Sequence, residues 1–368
     1  MSLRRLVSLL ALAFVVSACA STQRSALGPT GASGTLLIVG GGLDDDSRPI
    51  YERFVGLASA RGPANIVVMT AATGPEEVEI TDKTESLRIW APDVPVRAVR
   101  RETSTQETVA AIDAATALLF TGGDQKRITA RYRPNDTDTP EWLAMRRLLA
   151  RGGVIAGCSA GDAMMGEVML LGGSSAAALG VAPKDDDPKD PTPLGPRVAP
   201  GMRFLPWAVT DSHFFERDRV GRLVVALEAS GKRLGLGVGE DGCVEVDLAT
   251  GMVRGVGVSE SLLVDVGRLA RDGARRTQLL ACVIRQGDEL SLVDRLASPP
   301  QALPAGLAGA VRDVPVVEPG QNRQLASWRI FRTASRPGNG AERLALEGWD
   351  VLALPAGNGE VVFEVGPR

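Results

Sequence analysis

The sequence predicts an α/β fold in which a predominantly parallel sheet is covered by helices on both faces. Short, continuously apolar runs alternate with segments of helical periodicity, which is the pattern of strands that are buried on both sides. Several runs end in glycine, as tight turns between strand and helix require. The 368 residues are 44% hydrophobic and 23% charged, an ordinary composition for a folded domain.

The elements follow in order from Gly34. Apolar runs predict strands at 35–39, 65–70, 94–99, 117–120, 154–156, 207–210 and 234–238. Helices are predicted at 49–61, 104–115, 140–150 and 214–230. Ser104 and Glu107 have the spacing of a capping box, and Thr139 can cap the helix that follows it. Residues 172–200 predict a long loop, 243–266 a hairpin and 295–368 a small β-rich extension.

The first 19 residues have the features of an export signal. Two arginines precede a short apolar run, and small residues precede Cys19, as in bacterial lipoprotein signals. Cys19 is therefore the predicted lipidation site, residues 20–33 a flexible tether, and 34–294 the main domain. The alternative is an ordinary signal peptide that is cut near Ala20.

Composition excludes several kinds of site. The net charge of −3 gives no reason to expect nucleic-acid binding. His213 is the only histidine, so a site with several histidine ligands is excluded. Cys158, Cys243 and Cys282 show no metal-binding spacing, so we expect buried thiols, with one disulfide left open as an alternative.

Residues 157–161 (GCSAG) form the strongest motif. They lie between a predicted strand and a helical run, which is the context of a nucleophile elbow. We predict that Ser159 is a catalytic nucleophile, and that the backbone N–H of Ala160 binds an oxyanion. The alternative is a glycine-rich turn in which the serine has no chemical role.

A serine nucleophile needs a base, and His213 follows the predicted strand 207–210. Because ligands bind at the carboxyl ends of parallel strands, we expect His213 to lie near Ser159. Arg217, Arg219 and Arg222 follow, and arginine suits the capture of carboxylates. The alternatives are a purely structural histidine and a solvated charged helix face.

Four stretches together resemble the cyanophycinase family of serine peptidases. Residues 211–223 (DSHFFERDRVGRL) resemble its D-Q-H-F-x-x-R-x-R-x-x-R-L signature, and 157–161 resemble its G-T-S-A-G. Residues 120–125 (FTGGDQ) resemble its F-T-G-G-D-Q, and 236–240 (LGVGE) resemble its G-I-G-V-D-E. The four occur in family order, and the resemblance covers about 35–294.

The resemblance implies a fold like that of class I glutamine amidotransferases, and hydrolysis of cyanophycin to β-Asp-Arg dipeptides. Cyanophycin is a polyaspartate that carries arginine on each side-chain carboxylate. In this family Ser159 would attack, His213 would transfer the proton, and the N–H groups of Gly123 and Ala160 would form the oxyanion hole. The resemblance also implies a homodimer, and a site without a metal or organic cofactor. The residues implied to line the substrate pocket are Gln125, Asp211, Arg217, Arg219 and Arg222.

The sequence departs from the family pattern at Ser212, where the family has glutamine, and at Gly239, where it has aspartate. No acid that would orient His213 stands out after the elbow. The candidates are Asp185, Asp186, Asp187 and Glu167. Cys158 beside Ser159 raises the alternative of a cysteine nucleophile, which the motif geometry disfavours because its central residue faces the site.

Three functions are compatible with these observations. The first is an exported cyanophycinase-like exopeptidase, lipid-anchored at Cys19 on the periplasmic or outer-membrane face, or secreted. The second is a dipeptidase for aspartyl or isoaspartyl peptides, which would need fewer pocket arginines. The third is an envelope lipoprotein that kept the fold without catalysis. The extension 295–368 could contribute a binding surface.

Overall fold

The computed structural model describes residues 32–74, 76–181, 197–299, 312–314, 326–336, 340–346 and 348–368. The predicted export signal, Cys19 and nearly all of the predicted tether 20–33 lie outside the described residues. Among the residues that are described, no helix is long and apolar enough to cross a membrane.

Strands and helices alternate along the first half of the chain, and strands dominate the second half. The strands are β1 (Thr35–Val39), β2 (Ile66–Met69), β3 (Val96–Val99), β4 (Ala117–Phe120), β5 (Val154–Cys158), β6 (Val168–Gly172), β7 (Arg197–Pro200), β8 (Ala208–Asp211), β9 (Leu234–Val238), β10 (Cys243–Asp247), β11 (Met252–Gly255), β12 (Ser261–Asp265), β13 (Ala270–Asp272), β14 (Arg275–Ile284), β15 (Glu289–Ser291), β16 (Arg312–Val314), β17 (Glu342–Ala345), β18 (Trp349–Gly357) and β19 (Glu360–Pro367). The helices are α1 (Arg48–Ser59), α2 (Glu76–Trp90), α3 (Thr105–Ala114), α4 (Gln125–Tyr132), α5 (Pro140–Ala150), α6 (Ala160–Ala163), α7 (Ser175–Ala178), α8 (Val220–Ser230), α9 (Leu292–Ala297) and α10 (Ala326–Ala334).

The first sheet has the strand order β15-β11-β10-β1-β5-β4-β2-β3. Its strands from β1 to β3 in this order pair in parallel, whereas β10, β11 and β15 are antiparallel additions. Alternate residues of each buried strand face opposite sides, because side chains alternate along a strand. One face packs against α1 and α2, and the other against α3, α4 and α5. The predicted parallel sheet with helices on both faces is therefore confirmed.

A second sheet holds the strands β16-β17-β18-β19-β14-β12-β9-β8. Only β8–β9 and β16–β17 pair in parallel here, and the other neighbours are antiparallel. One face of this sheet packs against α8 and α10. Leu236, Val238 and Leu263 on its other face join the hydrophobic core under the first sheet. The two sheets therefore share one core, and β8 and β9 bring their carboxyl ends close to those of β1 and β5.

Local signals predict several elements well. Strand β4 and helix α5 have the predicted bounds, and the predicted hairpin appears as β10 paired with β11. The capping box of α3 is present in both directions, with Ser104 Oγ accepting from the Glu107 N–H. An N-cap of this kind contributes about 1 kcal/mol to the stability of a helix.

The sequence predicts no helix at α2, α4, α7, α9 or α10. Helices α2 and α4 have largely polar sequences, which give no apolar periodicity. The buried residues of α4 are Ile128 and Tyr132, which are one turn apart and fully buried. The predicted helix 214–230 begins only at Val220, because His213 and Asp218 have positive φ angles of 44° and 46°. The chain there makes a compact turn that buries Phe214.

The predicted β-rich extension is confirmed in its described part. Strand β19 pairs with β14 from Arg276 to Cys282, so β17, β18 and β19 widen the second sheet. The domain boundary between 294 and 295 stays a prediction. The predicted long loop 172–200 is wrong in part: it contains α7 and β7, and β7 pairs with β6, which precedes the loop. Residues 182–196 lie outside the described residues.

Candidate active site

Ser159 lies at a sharp turn between β5 and α6. Its backbone has φ 55° and ψ −101°, a strained conformation for a residue with a side chain. The surroundings hold it there: its N–H donates to the Val39 carbonyl at 2.9 Å. A Cβ on Gly157 would lie 2.2 Å from the Gly161 carbonyl oxygen, and one on Gly161 would lie 2.8 Å from that of Phe120. Both flanking glycines are therefore required by close backbone packing.

His213 directs its ring at this serine. The residue follows β8, and its N–H donates to the Gly40 carbonyl at 2.7 Å. Its Nε2 lies 2.7 Å from Ser159 Oγ. A Cβ on Gly41 would lie 2.4 Å from His213 Cε1, so the glycine at this position gives the ring its space. The serine and histidine strands lie in different sheets, whereas the sequence suggested strands of one sheet.

Glu240 completes the chain of contacts. It follows β9, the parallel neighbour of β8, and its Oε1 lies 2.6 Å from His213 Nδ1. An ionised carboxylate can only accept a hydrogen bond, so Nδ1 carries the hydrogen. Nε2 is then left to accept the hydroxyl hydrogen of Ser159, which is the arrangement of a general base.

The electrostatic surroundings favour a neutral imidazole. Burial lowers the pKa of His213, and the positive charge of Arg217 lowers it further. The hydrogen bond and negative charge of Glu240 oppose this shift without reversing it. His213 is therefore unprotonated at neutral pH and can take up a proton.

The acid that contacts His213 is Glu240, which is not among the predicted orienting acids. The carboxylate of Glu167 is paired with Lys232 Nζ instead of His213. Asp185, Asp186 and Asp187 lie outside the described residues. Glu240 ends the fourth family-like motif, so its position after a glycine-rich strand was the signal that could have identified it.

The serine and histidine open into a pocket of about 440 Å³. Gly123 and Ala160, the predicted oxyanion residues, both line it. Ala160 is the first residue of α6, where the backbone N–H has no acceptor within the helix. Gly123 has φ 134°, and a Cβ there would lie 2.3 Å from the Ala72 carbonyl oxygen.

The predicted substrate residues divide into two groups. Gln125, Arg217, Arg219 and Arg222 line the pocket. Asp211 does not line it: the residue is 1% exposed, and its carboxylate forms two hydrogen bonds with Arg222, one of them 2.8 Å from Nε. Arg219 donates to the Ser212 carbonyl at 2.6 Å and lies 3.4 Å from Asp211. Asp211 therefore lies behind the pocket wall, where its carboxylate holds Arg219 and Arg222 in place.

The pocket has an excess of positive charge. Lys126 and Arg197 line it beside the three arginines, and Asp124 is the acid among the lining residues. Within the described part of the chain, Lys126 and Arg217 have no acidic partner, so both are available to a ligand. Lys126 and Arg197 are not among the predicted pocket residues. Gln125 is partly engaged, since its Nε2 donates to the Leu170 carbonyl at 2.6 Å.

Cys158 does not compete with Ser159. Its side chain packs in the hydrophobic core on the α1 side of the sheet, and burial raises the pKa of the thiol to about 12. A thiol of such a high pKa forms almost no thiolate at neutral pH. Cys158, Cys243 and Cys282 are all free cysteines, so the disulfide alternative is wrong.

The sequence is similar to those of known peptidases. The chain is 32% identical over 218 residues to the cyanophycinase of Geminocystis herdmanii. The matched stretch covers 57% of this chain and 72% of that protein. The chain belongs to the cyanophycinase family. It is also 30% identical over 222 residues to the cyanophycinase of a Nostoc species, covering 58% of this chain and 67% of the relative. Membership of this family makes the chain a serine peptidase.

A solved structure supports the fold. A peptidase from an acI-B1 Actinobacterium superposes with a TM-score of 0.52 at 17% identity, over 71% of this chain and 98% of the other. The likeness at this identity shows a common fold. No family model matches the sequence.

Proposed function

We propose that this peptidase cleaves cyanophycin or related aspartyl peptides, with Ser159 as nucleophile, His213 as base and Glu240 as the acid that orients it. The observation that carries the proposal is the continuous contact from Ser159 Oγ through His213 to Glu240, at distances of 2.7 and 2.6 Å. The family relationship supports the same assignment.

In the proposed reaction, Ser159 Oγ attacks the carbonyl carbon of the backbone amide while its proton moves to His213 Nε2. The N–H groups of Gly123 and Ala160 donate to the oxygen that becomes negative. His213 then gives the proton to the leaving amide nitrogen, and the C–N bond breaks. A water molecule attacks the acyl ester with His213 again taking the proton, and Ser159 recovers it when the ester C–O bond breaks.

The pocket charge supports the substrate class. Each cyanophycin unit carries the carboxylate and the guanidinium of its arginine, and the cations of Lys126 and Arg217 suit such a carboxylate. The product would then be a β-Asp-Arg dipeptide. The half-buried carboxylate of Asp124 at the pocket offers a partner for the guanidinium.

One observation favours a second candidate, a dipeptidase for aspartyl or isoaspartyl peptides. Arg222 is committed to Asp211 and to the Gly173 carbonyl, and Arg219 is committed to the Ser212 carbonyl. Fewer cations are then available to a ligand. This smaller number suits a short substrate that carries only one or two carboxylates.

We also propose that the protein is exported and lipid-anchored at Cys19, which rests on the sequence of residues 1–19. Mass spectrometry of the mature N-terminus tests this: a diacylated cysteine would support the anchor, and cleavage near Ala20 would contradict it. A homodimer is proposed from the family resemblance, and sedimentation at micromolar concentration tests that.

The substrate is tested by incubating the protein without residues 1–19 with cyanophycin and following β-Asp-Arg release by mass spectrometry. A Ser159→Ala variant is the matched control. Release by the unmodified protein that disappears in the variant supports both the substrate and the nucleophile. If no β-Asp-Arg is released but isoaspartyl dipeptides are cleaved, the dipeptidase function replaces cyanophycin hydrolysis as the proposal.

A further inference from the structure

Helix α10 lies in the predicted C-terminal extension, yet it packs beside the turn that carries the proposed catalytic base. We call residues 213–219, between β8 and α8, the histidine turn. Ile330 and Phe331 of α10 belong to the same hydrophobic core as Phe214 of this turn. The extension therefore supports the histidine turn from within the protein.

One buried hydrogen bond joins α10 directly to the histidine turn. Ser327, in the first turn of α10, is 0% exposed, and its Oγ donates to Asp218 Oδ1 at 2.8 Å. The two residues are 109 positions apart in the sequence. A second hydroxyl, that of Ser175 in α7, donates to the Asp218 carbonyl. Asp218 is therefore held through its side chain by the extension and through its backbone by α7.

The backbone of the histidine turn needs such support because it is strained. Asp218 has a φ angle of 46° and His213 one of 44°, values that are uncommon for residues with a side chain. Hydrogen bonds within the turn connect the two: the Asp218 N–H donates to the Phe215 carbonyl at 3.3 Å, and the Arg217 N–H to the His213 carbonyl at 3.2 Å. A turn of this kind keeps its shape only while the surrounding contacts hold it.

We propose that Ser327 is a positioning residue, which holds Asp218 and thereby keeps the His213 ring on Ser159 Oγ. The inference rests on the proposed catalytic roles of Ser159 and His213. It gives the extension a part in catalysis, although none of its described residues lines the pocket. Without the Ser327 hydrogen bond the histidine turn can relax, and a displacement of about 1 Å can lower a rate about 100-fold.

The first test measures how fast a fluorophosphonate labels Ser159, because this rate reports serine activation without depending on the natural substrate. Ser327→Ala removes the donor, and we expect labelling to slow about 10-fold. Asp218→Gly removes the acceptor but allows a positive φ, so it should slow labelling to a similar degree. Asp218→Asn keeps an acceptor oxygen and tolerates the same φ, so it should restore most of the rate. Because the partners act through one bond, the double variant Ser327→Ala/Asp218→Gly should be no slower than either single variant.

The second test observes the imidazole itself. His213 is the only histidine, so NMR of a protein with isotope-labelled histidine and no histidine tag shows the ring signals of this residue alone. Ser327→Ala should shift or broaden these signals in the folded protein. A contact that only stabilises the fold would leave them unchanged.

Ser335→Ala is the matched control. Ser335 is a buried serine directly after α10, and its Oγ accepts from Arg285 Nη2 at 2.7 Å, outside the histidine turn. This variant should lower the melting temperature as Ser327→Ala does, but leave labelling and the His213 signals unchanged.

The positioning role is refuted if Ser327→Ala labels as fast as the unmodified protein, or if Ser335→Ala slows labelling as much as Ser327→Ala does. A loss in Asp218→Asn as large as that in Asp218→Gly would also overturn it, because the acceptor oxygen is kept. If the unmodified protein is not labelled at all, the proposed serine mechanism is refuted. The His213 signals then decide the positioning role alone, and unchanged signals in Ser327→Ala would refute it.

Discussion

Replacing Glu240 by glutamine tests the acid that only the structure identifies. The change keeps the size of the side chain and removes its charge, 2.6 Å from His213 Nδ1. An amide N–H turned towards Nδ1 would also place the imidazole hydrogen on Nε2, where it faces Ser159 Oγ. Both effects oppose proton uptake by His213 when the serine attacks.

The magnitude follows from the distance and the exposure. A carboxylate and an imidazolium separated by 2.6 Å attract by about 6 kcal/mol at an effective dielectric constant of 20, and by about 1.6 kcal/mol in water. The Glu240 side chain is 33% exposed, so solvent screening places the loss between these limits, at about 4 kcal/mol. A barrier that is about 4 kcal/mol higher slows the reaction about 1000-fold.

The assay compares kcat on the cleaved peptide, and the rate of fluorophosphonate labelling, for Glu240→Gln and Glu167→Gln. Glu167 is the matched control because it was a predicted orienting acid, yet it pairs with Lys232. Thermal melting of each variant checks that the fold is retained. The reasoning is refuted if Glu240→Gln keeps kcat within about threefold of the unmodified protein, or if Glu167→Gln loses as much.

Four further predictions address the same site. Because burial and Arg217 lower the pKa of His213, activity should persist as the pH falls to 6.5 and be lost only below it. A kcat/KM profile in which half of the activity is already lost on the acid side at a pH above 6.5 would contradict this. Gly41→Ala would put a methyl group 2.4 Å from His213 Cε1, so kcat should fall about 100-fold or more while melting shows a folded protein. Cys158→Ser should keep fluorophosphonate labelling, since the thiol is buried in the core, and its loss would revive the cysteine nucleophile. Burial raises the pKa of Glu216, in the turn after His213, to about 7 in the folded protein, against 4.5 in the unfolded chain. Between these pH values the folded state keeps a proton that the unfolded chain has lost, so the free energy of unfolding should fall by about 3 kcal/mol as the pH rises from 4.5 to 7. Chemical denaturation of Glu216→Gln should show no such fall, and an unchanged pH dependence of the free energy of unfolding would disprove the raised pKa of Glu216.

Local patterns were sufficient for much of the fold. Apolar runs located strands such as β4, and the spacing of Ser104 and Glu107 located the start of α3, because these signals act within a few residues. Helix α4 escaped prediction because its buried side chains, Ile128 and Tyr132, are too few to produce a periodic pattern. The late start of α8 at Val220 depends on the turn at His213, which is held by the Gly40 and Val238 carbonyls from other strands.

By itself, the sequence determined the glycine-flanked turn of Ser159 and left His213 as the one histidine that can be its proposed base. A strand followed at once by a helix leaves only a tight turn for the serine, and the chain contains no second histidine. Only the tertiary structure decided that Glu240 contacts His213, that Asp211 is buried under Arg222, and that the ring needs the space at Gly41. The physical reason is that these contacts join the ends of strands in two sheets, across 54 residues for the serine and histidine and 27 for the histidine and glutamate. Their positions depend on strand order and on the way the sheets share a core, which no local pattern of residues specifies.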